Sequence, residues 1–189
     1  MDEAGLDAIL RDLEEAMKKT IASYKKYLTT VKTGRAHVSV FENLRVEAYG
    51  QQMQIKQLAT LSTPDATTVI IQPWDASTLK DIEKGILKAN IGFTPQNDGK
   101  TIKIIIPPMT EEDRKKVVKL LKQETESYRV ALRNARKKAL KSVKDLEKDK
   151  VISEDESKRA EKDIKNKLDE YSKKLDELYE AKEKEILNI

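Results

Sequence analysis

Between Glu126 and Asp145 the chain carries seven basic residues and no acidic one: Arg129, Arg133, Arg136, Lys137, Lys138, Lys141 and Lys144. Arg129, Arg133, Arg136 and Lys137 recur at helical spacing, which puts them on one face of a helix. Like charges four apart on a helix cost about 0.2–0.5 kcal/mol per pair, so an uncompensated run implies an anion outside the chain. Phosphate is the usual one, because a polyanion releases its condensed counter-ions when cations replace them. Arginine suits it, since the planar guanidinium grips two oxygens at once. The implied chemistry is phosphate binding, with duplex DNA, RNA and a chance run of cations all open. A second acid-free stretch, Ala16 to Phe41, holds Lys18, Lys19, Lys25, Lys26, Lys32 and Arg35. Zinc-finger spacing, an aromatic-rich RNA motif and a helix-turn-helix are all missing from the sequence. Recognition by backbone and shape is expected rather than readout of bases.

Catalytic chemistry finds no such support. The one histidine, His37, sits in a Gly-containing loop and there is no cysteine, so neither a zinc site nor a disulfide framework can be assembled. Gly34-Arg35 lacks the Gly-Lys-Ser/Thr ending of a phosphate-binding loop. Nearly all the acidic residues fall on charged helix faces, and Trp74, in Pro73-Trp74-Asp75, reads as core or strand-end packing. No nucleophile, base and orienter come together. The expected protein has no catalytic residue, no metal and no cofactor.

The elements that must carry the basic face are long helices. Of the 189 residues, 37% are charged, 38% hydrophobic and only 5% aromatic, a mixture that favours extended solvated helices over a compact enzyme. No apolar run approaches the roughly 18 residues of a membrane span. The start, acidic at Asp2, Glu3 and Asp7, is unlike a signal or transit peptide, so the cytoplasm is the expected compartment.

Helical periodicity marks three segments. The first, from about Leu6 to Val31, has the seam Leu6, Leu10, Leu13, Met17, Ile21, Tyr24, Leu28 and Val31. The second opens after Pro107-Pro108, with Thr110 as N-cap and Glu111, Glu112 and Asp113 complementing the helix dipole. Its seam is read as Val117, Leu121, Glu124, Tyr128, Ala131, Ala135, Ala139, Ser142 and Leu146. The third begins at Ser153, which forms a capping-box pattern with Glu156, and continues through Ala160, Ile164, Leu168, Tyr171, Leu175, Leu178 and Ile186. From Ser153 on, twelve acidic residues interleave with nine basic ones, the pattern of a solvated, salt-bridged surface. Narrow seams on helices of about 40 to 55 Å call for lengthwise packing, and the short link from Lys148 to Ile152 makes the last two an antiparallel hairpin.

Residues 32–106 change character. Arg45 to Tyr49 alternates, Met53 to Leu61 is strand-like, and Thr67 to Gln72 is β-branched. A short helix follows, capped by Asp75 or Ser77, with Leu79, Ile82 and Ile86 on its apolar face and Asn90 or Gly92 near its end. Asn97-Asp98-Gly99 predicts a hairpin turn into the strand Thr101 to Ile106. Nothing there is long enough to cover the first helix. The predicted fold is therefore α+β with two domains: a discontinuous three-helix bundle of residues 1–31 and 107–189, and a small α/β, sandwich-like domain of residues 32–106. Two thin crossings, near Thr30 to Arg35 and near Ile106 to Pro108, join them, so an elongated, hinged molecule is expected. From another class, a coiled-coil or chaperone-like module gripping a protein client fits the same pattern, with the basic face incidental.

Several separate blocks then become familiar together: Lys32-Thr33-Gly34-Arg35-Ala36-His37, Leu44-Arg45-Val46-Glu47-Ala48-Tyr49-Gly50, Asn97-Asp98-Gly99, Ile106-Pro107-Pro108-Met109-Thr110-Glu111-Glu112, Arg129-Val130-Ala131-Leu132-Arg133-Asn134-Ala135-Arg136 and Ile152-Ser153-Glu154-Asp155-Glu156. In order and spacing, over essentially the whole chain, they resemble the bacterial ribosome recycling factor family. The resemblance implies a non-enzymatic translation factor that enters the intersubunit space of the post-termination ribosome. With elongation factor G and GTP hydrolysis on that partner, it separates the subunits. It further implies a monomer with no membrane or small-molecule substrate, its bundle lying against large-subunit rRNA. Residue by residue, Arg129 and Arg133 match the family's arginine block and are the implied rRNA contacts, extended by Arg136, Lys137 and Lys141. Lysine replaces arginine at 137, which removes the basis for a bidentate grip there. Lys32 stands where arginine is usual and Val38 where proline is common, so the first crossing is expected to be slightly less rigid. Lys32, Thr33, Gly34, Arg35, Pro107 and Pro108 are the implied hinge, with Gly34 a permissive backbone position rather than a contact.

Overall fold

The structure is a computed structural model and describes residues 3–90 and 92–187; Asp2, one of the acidic residues at the start, lies outside them. In chain order the elements are α1 (Glu3–Leu28), α2 (Val38–Glu42), β1 (Arg45–Ala48), β2 (Gln51–Gln54), β3 (Ala59–Asp65) and β4 (Thr68–Pro73). They continue with α3 (Leu79–Ala89), β5 (Pro95–Asn97), β6 (Ile102–Ile105), α4 (Glu111–Lys148) and α5 (Glu154–Leu187). Contacts divide the described residues into one unit of residues 3–32 with 111–187 and another within residues 33–110.

In the first unit α1, α4 and α5 pack pairwise. The seam of α1 is the expected one: Leu13, Met17, Ile21, Tyr24 and Leu28 are buried, although the helix ends at Leu28 rather than Val31. Along α5, Ala160, Ile164, Tyr171 and Leu175 are buried together with Ile186. Removing each large apolar side chain from water contributes about 1.5–3 kcal/mol. The seam of α4 differs from the reading above. It runs through Leu121, Thr125, Leu132, Ala139 and Val143, whereas Glu124 and Ala131 are exposed. Counting on from Val117 had placed a glutamate and small alanines at the contact. The helix instead turns so that Leu132 and Val143 are covered and the carboxylate of Glu124 stays in water.

The ends of the helical hairpin are built from local chemistry. The Glu156 N–H donates to the Ser153 hydroxyl oxygen at 3.1 Å, as an N-cap requires. The Ser153 hydroxyl in turn donates to the Glu156 carboxylate at 3.2 Å. At the other end of the link, Lys150 takes the left-handed conformation with φ 60°. Its N–H donates to the Glu147 carbonyl at 3.0 Å and the Val151 N–H to the Leu146 carbonyl at 2.9 Å, the two bonds of a Schellman motif.

In the second unit β1 and β2 form an antiparallel pair, and a four-stranded antiparallel sheet has the order β3-β4-β6-β5. The expected strand from Met53 to Leu61 is interrupted: Ile55–Gln57 form a 3-10 turn, bracketed by reciprocal bonds between Gln54 and Gln57. That turn lets β2 and β3 join different sheets while Ile55 remains buried. Asp75 caps the turn before α3 by accepting the Ser77 N–H at 3.0 Å, and Asn90, with φ 48°, closes the helix in the left-handed conformation. Leu79, Ile82 and Ile86 of α3 share one core with Val46, Ile55, Val69, Ile71, Ile102 and Ile104. The helix reaches β1 closely at Gly85, where an added Cβ would sit 2.1 Å from Val46 Cγ1. Trp74, expected in the core or at a strand end, lies at the strand end: it is 66% exposed, and its ring N–H donates to the Thr60 hydroxyl of β3 at 2.8 Å. It follows the last residue of β4, and the sheet core is closed without it by Val69 and Ile71. Among the described residues, no helix is long and apolar enough to cross a membrane.

Candidate nucleic-acid interface

Because the α4 seam runs through Leu121, Thr125, Leu132 and Ala139, the arginines three and four residues away are carried to its edge. Arg129 and Arg136 are half-buried beside the seam, while Arg133, Lys137, Lys138, Lys141 and Lys144 are exposed. The face therefore has an inner row of two arginines and an outer row of one arginine and several lysines. Beneath its N-terminal end lies an aromatic layer, with the ring of Tyr128 5.0 Å from Tyr24 and 5.9 Å from Tyr27 between centroids. Burial pushes the Tyr24 hydroxyl above its usual range, against the smaller opposing effects of its bond to Thr125 and of the Arg129 charge.

The expected absence of counter-ions needs correction. Arg129 is paired through Nη1 with Asp176 of α5, and its Nε lies 3.8 Å from Glu126. Arg133 donates through Nη2 to Glu126 at 2.5 Å. Glu126, at the border of the acid-free run, thus serves both arginines. By contrast, Arg136, Lys137, Lys138, Lys141 and Lys144 make no ion pair among the described residues. Asp176 is 47 positions from Arg129, and only the bundle register brings them together, so periodicity gave no signal for it. Glu126 did have one, since it stands three and seven residues before the two arginines.

The second acid-free stretch is less uniform than its sequence. Lys18 lies 3.8 Å from Glu14, and Glu14 also binds Lys167 of α5 at 3.2 Å. That contact with Lys167 holds the Glu14 carboxyl below the usual carboxylate range. Lys19, Lys25, Lys26 and Lys32 carry no ion pair among the described residues.

Around the passage from α1 into the second unit, Lys32 and Arg35 are exposed and Thr33 and Gly34 buried. Gly34 has φ 78°, a conformation that glycine adopts without a steric penalty. The Thr33 hydroxyl bonds His37 Nε2 at 3.1 Å and accepts the Arg35 N–H at 3.4 Å, which gives the lone histidine a structural partner. The Ala36 N–H donates to the Ala66 carbonyl at 2.7 Å, and the Ile106 N–H to the Thr67 carbonyl at 2.7 Å. Pro107 and Pro108 follow, exposed, before α4 begins.

Comparison with known proteins agrees with this arrangement. The family described as "Ribosome recycling factor" matches residues 24–187. Ribosome-recycling factors of Carboxydothermus hydrogenoformans and Clostridium acetobutylicum are 48% and 47% identical, each covering 96% of this chain and 98% of the relative. A solution structure of a ribosome recycling factor superposes with a TM-score of 0.82 at 38% identity, over 97% of this chain and 98% of that one. Another similar chain comes from models of the T. thermophilus ribosome recycling factor and the E. coli elongation factor G bound to the E. coli post-termination complex. Its TM-score is 0.65 at 41% identity, over 96% of this chain and 98% of that one. With a three-helix bundle interrupted by a small sheet domain, and full-length identity at this level, the chain belongs to the ribosome recycling factor family.

Proposed function

We propose that this chain acts on the ribosome after termination, where with elongation factor G and GTP hydrolysis on that partner it separates the subunits and frees the mRNA. The observation that carries this reading is the basic face of α4, mounted on the fold of a family whose relative has been placed with elongation factor G on a post-termination complex. In this reading Arg129, Arg133, Arg136, Lys137 and Lys141 bind phosphates of large-subunit rRNA. The arginines supply bidentate contacts and the lysines point charges. Nothing in the face presents a base-reading constellation, which favours recognition of backbone and shape.

The mechanical part rests on the two passages of the chain. Lys32, Thr33, Gly34 and Arg35 on one side and Pro107 and Pro108 on the other would let the bundle, residues 1–31 and 107–189, stay on rRNA while residues 32–106 move. Gly34 favours this by its left-handed backbone, and the two prolines by lacking N–H donors that could fix them to a neighbour. Two covalent crossings make relative motion the expected behaviour. The chemistry of the step belongs to the GTP-hydrolysing partner, and the work acts in the cytoplasm, where ribosomes are.

Sedimentation with ribosomes through sucrose at low and high salt tests the first part: association at low salt that weakens as salt rises is expected. Absence of association at low salt overturns it. A subunit-splitting assay, with and without elongation factor G and GTP, tests the second: splitting should require both. Spin-label distances between the two units should be broad in the free protein, and a single narrow distribution would count against a working hinge.

A further inference from the structure

Two of the three arginines proposed to bind rRNA are already engaged, and by different kinds of partner. Arg129 is held from another helix by Asp176, a contact fixed by the packing of α4 on α5. Arg133 is held by Glu126 of its own helix, seven positions back, at 2.5 Å. Glu126 is 55% exposed and Arg133 54% exposed, so water and solution ions reach both groups and the pair is exchangeable. Among the described residues it is also the one acidic group paired with Arg133, at the boundary of a run that is otherwise free of carboxylates up to Asp145.

We infer that Glu126 is a specificity-determining residue: an internal counter-ion that occupies Arg133 in the free protein and must be displaced by phosphate when the face docks. The inference rests on the proposed role of the α4 face. An arbitrary polyanion must compete with the Glu126 carboxylate for the guanidinium fork, which lowers its affinity. A docking surface that matches the whole face makes many contacts at once and meets that cost. Displacement also frees the Glu126 carboxylate from Arg133 and leaves it the longer 3.8 Å approach to Arg129 Nε, so it takes up cations from solution and reduces the net ion release on binding. Asp176 has a different part. Joined to Arg129 between two packed helices, it positions the guanidinium instead of competing for it.

The test uses the full chain and a fluorescently labelled duplex RNA of about 20 base pairs, unrelated to rRNA, as a generic polyanion, titrated by anisotropy over a range of KCl. Glu126→Gln should bind this RNA about two- to fivefold more tightly than the wild type at low salt, the range of an exposed ion pair. Its logarithmic salt slope should be steeper by up to about one. Glu124→Gln makes the same change in net charge at a neighbouring glutamate with no ion pair to an arginine among the described residues, and should change affinity less. In the Arg133→Ala background the gain from Glu126→Gln should fall to what the longer 3.8 Å contact of Glu126 with Arg129 leaves, as a double-mutant cycle requires for coupled residues.

Equal gains from the two glutamine variants, or a gain undiminished without Arg133, would overturn the inference by showing only a general charge effect. Weaker binding by Glu126→Gln would also overturn it and make Glu126 a support that holds Arg133 in its binding geometry. Arg133→Ala alone keeps the two readings apart. If it binds duplex RNA and ribosomes as the wild type does, the face itself is wrong and the inference falls with it. If it binds more weakly while Glu126→Gln gains nothing, only the counter-ion role fails.

Discussion

The hydroxyls of Tyr24 and Thr125 share a hydrogen bond of 2.8 Å across 101 positions of sequence, with both residues buried, at 0% and 2% exposure. This bond explains the rotation of α4. A threonine can enter the seam because its hydroxyl meets a tyrosine there, and its methyl group fills space as an apolar residue would. Thr125→Val should leave the Tyr24 hydroxyl buried without its partner and destabilise the bundle by about 1–3 kcal/mol. Tyr24→Phe should cost less, because the Thr125 hydroxyl can turn to the carbonyl one helical turn back. Urea denaturation of the two variants measures the difference. An equal or larger loss for Tyr24→Phe would show that ring packing, not the paired hydroxyls, dominates at this layer.

Arg133→Ala separates function from folding. Arg133 is half exposed and its one ion pair among the described residues is with exposed Glu126, so the loss of stability should stay within about 1 kcal/mol. Co-sedimentation with ribosomes at low salt should drop clearly while helicity and melting temperature hardly move. A melting temperature that falls in step with binding would make Arg133 a structural residue.

Much of this fold was legible because long seams are redundant. In α1, Leu13, Met17, Ile21, Tyr24 and Leu28 all report the same face, and α5 behaves alike. In α4 the seam is diluted by alanines and polar residues, several registers score similarly, and the pairing of Thr125 with Tyr24 decides between them. The basic run of the candidate face was plain in the sequence, since charge counts need no register. Its pairing was not: Asp176 meets Arg129 only through the packing of two helices. Trp74 takes the strand-end place rather than the core, two alternatives that residue type alone does not separate. In the structure Val69 and Ile71 already close that part of the core.

Gly85 lies mid-helix in α3, where alanine normally gains up to about 1 kcal/mol of helix propensity. Here an added Cβ would meet Val46 Cγ1 at 2.1 Å and Val46 Cβ at 2.6 Å. β1 would have to move away from α3, and overpacking of this kind typically costs about 1–3 kcal/mol. Gly85→Ala should therefore destabilise the second unit despite its better propensity. Gly85→Ala combined with Val46→Ala should recover part of the loss, since the second change removes the clashing methyl groups. Recovery is read as a rise in the melting temperature over the single variant. No recovery would locate the strain in the atoms that alanine keeps at position 46, its Cβ at 2.6 Å and its Cα at 3.3 Å from the added atom.

The hairpin turn before β6 should make the protein acid-sensitive. Asp98 accepts the Thr101 N–H at 2.7 Å and the Lys100 N–H at 2.9 Å, and these two bonds, Thr101 first, hold its carboxyl below the usual range. A carboxylate with a lowered folded-state pKa binds fewer protons when folded than when unfolded. Its contribution is complete above the ordinary carboxylate range, near about 4, and is lost as pH falls through the folded-state value. Thermal melts from neutral to acidic pH should show declining stability in that window. Asp98→Asn should be less stable at neutral pH and show a shallower decline. A variant with the wild-type acid profile would assign the decline to other carboxylates, of which Asp65 and Asp75 are shifted in the same direction.

Lys150 carries the left-handed turn that ends α4, with φ 60°, at a position where glycine is the usual residue. A side chain there costs about 1–2 kcal/mol through the contact of its Cβ with the following carbonyl. Glycine removes that contact but adds backbone freedom to the unfolded chain, so the net gain from Lys150→Gly should be smaller, about 0.5–1 kcal/mol. Lys150 is exposed, and removing its charge is a separate effect that must be controlled. Lys150→Ala loses the charge and keeps the strained Cβ, so it should melt close to the wild type. Lys150→Pro, with φ fixed near −65°, should be much less stable, because it breaks the turn and deletes the N–H that donates to Glu147. The expected order of melting temperatures is glycine, then lysine with alanine, then proline. If alanine raises stability as much as glycine, the strain lies in the charge of Lys150 and not in its backbone.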